Sequence, residues 1–80
     1  MKIIECEDFM INCDHLSGIV WHENDIEFYT SHSDVPFLKT IPVDVKFEDI
    51  KSRIMDFLLT DHGVFCIETV IRYWRRKNQP

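Results

Sequence analysis

The sequence predicts an α+β fold: a small, twisted, mainly antiparallel sheet of 4–5 short strands packed on one amphipathic helix, with a final strand after the helix. Three observations lead there. Within residues 44–63, Phe47, Ile50, Ile54, Phe57 and Leu58 recur at three- and four-residue steps, which puts them on one face of a helix. Within residues 26–30, Ile26, Phe28 and Thr30 alternate with Glu27 and Tyr29, as in a half-buried antiparallel strand. A lone helix cannot bury its own apolar face, so the β-favouring runs around it must supply the cover.

Residues 2–6 (KIIEC) favour a strand, Glu7 and Asp8 interrupt it, and residues 9–13 (FMINC) resume it as a tight hairpin or one bent strand. Residues 14–18 have turn composition, and Ile19, Val20 and Trp21 are a further strand candidate. Glu23, Asn24 and Asp25 break the chain before the 26–30 strand. Residues 36–43 can run extended, and their prolines suit an edge strand. Asp44 is the expected N-cap of the helix, with Glu48 and Asp49 at the positive end of its dipole. Asp49 and Arg53 are spaced as a helical ion pair, and Gly63 is the expected C′ residue.

Residues 64–74 (VFCIETVIRYW) carry two patterns. As a strand, Phe65, Ile67, Thr69, Ile71 and Tyr73 share a face; as a helix, Ile67, Val70, Ile71 and Trp74 form a stripe. The strand is preferred, because a helix–glycine–strand connection is common and no second N-cap is visible. The alternative architecture is a β-meander followed by two helices. Residues 1–74 are then one small domain and residues 75–80 (RRKNQP) a basic, frayed C-terminal tail. Residues 8–58, through FMIN at 9–12, the hairpin break and the helix, resemble the short flagellar FlbD-like proteins, which are bacterial β-meander-plus-helix chains. The glycine-containing turns of that family are absent here, so the resemblance carries no function.

At 80 residues, with 45% hydrophobic and 29% charged content, the composition is that of a small soluble domain. So small a core makes homodimerisation an expected route to extra stability. The first residues contain no uninterrupted apolar run of the secretory type, and no stretch is apolar enough to span a bilayer. Three unpaired cysteines fit reduced thiols in a cytoplasmic protein. Charge is unevenly spread: residues 1–38 hold eight acids and one lysine, whereas the last nine residues hold Arg72, Arg75, Arg76 and Lys77 and no acid. An overall charge of −5 disfavours nucleic acid over the general surface.

Four groups of residues invite a chemical reading. Cys13 with His15, His62 with Cys66, and the separate Cys6 and His22 offer zinc-ligand types, but no tight C-x₂-C pair is present, so no metal site is expected. Cys13, Asp14, His15, Asp61 and His62 are of catalytic type, yet neighbours in sequence do not form a nucleophile–base–orienter array, so neither a catalytic residue nor a cofactor is expected. The basic–aromatic end, Arg72, Trp74, Arg75, Arg76 and Lys77, could contact phosphates and stack on bases. Finally, Trp21, Glu23, Asp25, Glu27 and Tyr29 combine acids with the aromatics that dominate protein–protein hot spots. The expected function is a non-catalytic acidic protein-binding module, of accessory, inhibitor or immunity type, whose partner has a basic surface. The alternative is a small nucleic-acid-associated regulator that uses the basic C-terminus.

Overall fold

The computed structural model describes residues 1–78. Among these, the elements run β1 (Lys2–Glu5), β2 (Met10–Asn12), a 3-10 turn (Cys13–His15), β3 (Leu16–Trp21), β4 (Asp25–Thr30), β5 (Phe37–Thr40), α1 (Phe47–Leu58), β6 (Gly63–Cys66) and α2 (Ile67–Asn78). The fold is α+β, but its strands make two three-stranded sheets instead of the single sheet expected. In the first sheet β1 is central, antiparallel to β2 and parallel to β6. In the second, β3, β4 and β5 form an antiparallel meander. The 3-10 turn separates the sheets: the Asn12 side chain accepts from the Asp14 N–H at 3.0 Å and bends the chain out of β2 before β3 begins.

The preferred strand over residues 64–74 is corrected by the structure, which places a strand at its start and a helix through the rest. The expected alternative, strands followed by two helices, fits. β1 has four residues, paired one to one with Gly63–Cys66, so the ladder has no partner left beyond Cys66. From Ile67 onward the three- and four-residue spacing takes over. Ile67 and Ile71 are buried, and Val70 and Trp74 pack against the same core. Glu68 in the first turn and Arg75, Arg76 and Lys77 in the last suit the helix dipole. Residues 75–78, expected as tail, therefore continue α2, while residues 79 and 80 lie outside the described range.

The ends of α1 also differ from expectation. The N-cap is Lys46, which makes no side-chain cap bond, because a turn closed by Val45 N–H to Pro42 O at 3.0 Å delays the helix. Asp44 instead receives a fork from Arg75, Nε at 2.9 Å and a terminal nitrogen at 3.0 Å. At the other end the helix stops at Leu58, well before Gly63. There Lys2 Nζ donates to the Leu58 carbonyl at 2.7 Å and Thr60 Oγ1 to the Phe57 carbonyl at 2.6 Å. Gly63 opens β6 with φ +135°, a conformation that side chains other than hydrogen rarely adopt.

Helix α1 spans both sheets. Phe47 in its first turn meets Trp21 of β3 edge-on, with centroids 6.4 Å apart, and Phe57 in its last turn meets Phe65 of β6 at 5.4 Å. From the β1–β2 turn, Phe9 reaches across to Phe37 at 5.2 Å and Phe28 at 6.2 Å. One core results. Of its eleven buried apolar residues eight are isoleucine, so the fill is mostly stiff, β-branched side chains. Helix α2 is fastened over it by Lys39 Nζ to Glu68 at 2.5 Å and Trp74 Nε1 to Asp49 at 2.8 Å, besides the Arg75 fork.

Two predictions follow from this packing. Ile54→Ala should lower the unfolding free energy by about 2–5 kcal/mol, whereas Met55→Ala, at a half-exposed neighbour, should cost less than about 0.5 kcal/mol, both read from urea transitions. The second concerns acid. Asp44 is held below the usual carboxylate range, chiefly by the Arg75 hydrogen bonds. For Glu68, burial pulls the pKa up, but the Lys39 bond and backbone N–H donors outweigh it and the net shift is downward. Both contributions are therefore complete above the unfolded values of about 3.9–4.3 and fade as pH falls through the folded ones. The double variant Asp44→Asn/Glu68→Gln should be less stable at neutral pH and should show a shallower decline on acidification, measured as urea midpoints across that range.

Candidate docking surface

The alternation of β4 divides the second sheet into two faces. Ile26 and Phe28 are fully buried and face the core, so Asp25, Glu27 and Tyr29 stand on the outer face. The register sets their neighbours. Val20 of β3, Glu27 of β4 and Leu38 of β5 form one cross-strand row, Gly18 lies beside Tyr29, and Asp25 beside Thr40. On this face Val20 is 41%, Leu38 56% and Tyr29 36% exposed, so apolar side chains flank a central acid.

The acid is held in place. Glu27 is bonded by His22 Nε2 through one carboxylate oxygen, and Tyr29 Oη donates to the other at 3.4 Å. Partial desolvation first, and then the Glu27 charge, raise the Tyr29 pKa, which keeps the phenol a donor. Thr40 Oγ1 donates to Asp25 at 2.8 Å. A methyl group built on Gly18 would meet nothing within 4 Å, so the surface beside Tyr29 is open down to the backbone.

Of the five residues expected for protein binding, the structure brings Asp25, Glu27 and Tyr29 together, with Glu23 exposed in the adjoining turn. Trp21 lies on the opposite face, packed on Phe47 with Lys51 Nζ 5.3 Å from its ring centre. Val20, His22 and Leu38 complete the face and were missed. Val20 lies between apolar Ile19 and Trp21, and Leu38 between Phe37 and Lys39, so hydropathy gave no signal that they face outward.

The basic end is also divided. Trp74 turns inward to Asp49, and Arg75 is engaged by Asp44. Arg72, Tyr73, Arg76 and Lys77 remain on the exposed side of α2, where Arg53 and Lys77 lie 5.4 and 5.9 Å from the Tyr73 ring centre. Thr69, Arg72, Tyr73 and Arg76 line a shallow depression of about 240 Å³.

Burial, followed by the nearby Glu68, pushes the Cys6 thiol up to about 12, and burial raises Cys13 as well. Both shifts oppose formation of the thiolate that a nucleophile or soft metal ligand requires. Among the described residues, no group of three or more His, Cys, Asp or Glu side chains converges as a metal site, and no helix is long and apolar enough to cross a membrane. In comparisons with known proteins, no family model, no curated protein and no solved structure matches this chain, and the resemblance of residues 8–58 to the FlbD-like proteins gains no support from them.

Proposed function

We propose that this chain is a non-catalytic binding module, of accessory, inhibitor or immunity type, which docks another protein on the outer face of the β3–β4–β5 sheet. The observation that carries the reading is the Val20–Glu27–Leu38 row with Tyr29 beside it. Exposed apolar groups supply area to bury, and the tyrosine supplies a rigid amphipathic anchor. Glu27, already oriented by His22 and Tyr29, loses little freedom when a cation meets it. The complementary partner has a lysine or arginine set in an apolar patch with a basic rim. The acid-rich first half of the chain would steer such a partner in, with rates that fall as salt rises.

A second reading has its own observation. Arg72, Arg76 and Lys77 flank Tyr73 on one face of α2, an arrangement that suits a single-stranded nucleic acid through phosphate contacts and base stacking. One experiment separates the two. The immobilised chain is exposed to an extract of its source cells at low and high salt, and retained molecules are identified by mass. The first reading predicts a protein that is retained at low salt, lost with Leu38→Lys or Glu27→Lys, and kept by Arg72→Ala/Arg76→Ala. Retention that ignores the sheet substitutions and disappears with the arginine pair would reject it in favour of nucleic acid.

A further inference from the structure

His15 and His32 are 17 positions apart, yet their facing nitrogens, Nδ1 and Nε2, are 2.9 Å apart and their ring centroids 4.0 Å apart at 71°. The backbone on both sides is fixed. Ser31 N–H donates to the His15 carbonyl at 2.8 Å, where the ladder brings Leu16 opposite Thr30. The Asn12 cap holds the turn that carries His15. Beyond His32, Ser33 Oγ donates to the Val35 carbonyl at 2.9 Å and accepts from its N–H at 3.2 Å. Both histidines are exposed, so their rings can rotate while their attachment points stay put.

We propose that His15 and His32 form a two-imidazole chelate for a divalent transition-metal ion of tetragonal preference, copper(II) before all others. The two nitrogens already lie within the bite of a chelated ion. With metal–nitrogen bonds of about 2.0–2.1 Å, nitrogens 2.9 Å apart subtend about 90° at the ion. That is the cis angle of a square-planar or octahedral site, which the exposed rings can adopt with little movement of the backbone. Copper(II) also stands at the top of the affinity order for nitrogen ligands. The pair opens onto a depression of about 250 Å³ shared with Met10, Asn12 and Thr30, which leaves room for water to complete the coordination. Binding needs both facing nitrogens bare, so the ring whose proton bridges the pair passes to its other tautomer. This site departs from the sequence-based expectation of no metal, because Cys13 was weighed as the neighbour of His15, whereas the ring beside it is that of His32, in the turn after β4.

The test is a copper(II) titration of the full chain followed by electron paramagnetic resonance. The expected result is one equivalent bound ahead of the rest, with two equatorial imidazole nitrogens. His15→Gln and His32→Gln should each abolish that signal while keeping the wild-type urea midpoint, and His22→Gln/His62→Gln should retain it. Zinc at equal concentration should fail to displace the copper. Survival of the signal in either single variant, its loss in the His22/His62 pair, or ready displacement by zinc would each overturn the proposal.

Discussion

Helix α1 is the member on which the rest of the structure depends. Each of the two three-stranded sheets among the described residues has an apolar face that needs cover. The helix meets one sheet through Phe47 and the other through Phe57, with Ile50 and Ile54 fully buried between. The central strand of the sheet that receives its last turn also supplies Lys2, whose ammonium satisfies a terminal carbonyl and complements the negative end of the helix dipole. Both inner faces are thereby covered by the same core. The outer face of the meander, with Val20, Glu27, Tyr29 and Leu38, has no such cover among the described residues.

The second helix shows how polar contacts divide a charged segment between anchored and outward-facing side chains. Ile67 and Ile71 bury its apolar stripe, and three contacts, from Lys39, Trp74 and Arg75, tie it to β5, α1 and the segment before α1. Those ties engage Trp74 and Arg75 with the rest of the fold and leave Arg72, Arg76 and Lys77 facing outward with Tyr73. The outward basic stripe and the acid-bearing sheet face are consequently separate surfaces of opposite charge.

Local patterns were legible in the sequence, and long-range pairings were not. The apolar face of α1, the alternation in β4 and the break at Glu7–Asp8 each follow from a short-range period, and each matches the structure. The Ile67, Val70, Ile71, Trp74 stripe was also readable, but β propensity was weighted above it. That propensity yields once the four-residue ladder with β1 is used up. The parallel pairing of β1 with β6 joins opposite ends of the chain, and no local signal announces it. The same limit explains Trp21, whose face depends on strand register, since one step exchanges the two sides of a strand. It explains Asp44 too, which serves as a cap only if the helix starts beside it. Here its partner is Arg75, on an element read as strand and tail.

The central claim is that both sheets and both helices share one isoleucine core and open together. Amide hydrogen exchange on the free chain tests it most directly. The account predicts that Ile4 in β1, Ile26 in β4, Ile54 in α1 and Ile71 in α2 exchange through a common opening with a single free energy and denaturant dependence. Exchange of α2 or of the β2–β1–β6 sheet through a cheaper, separate opening, while β3–β4–β5 stays protected, would contradict it.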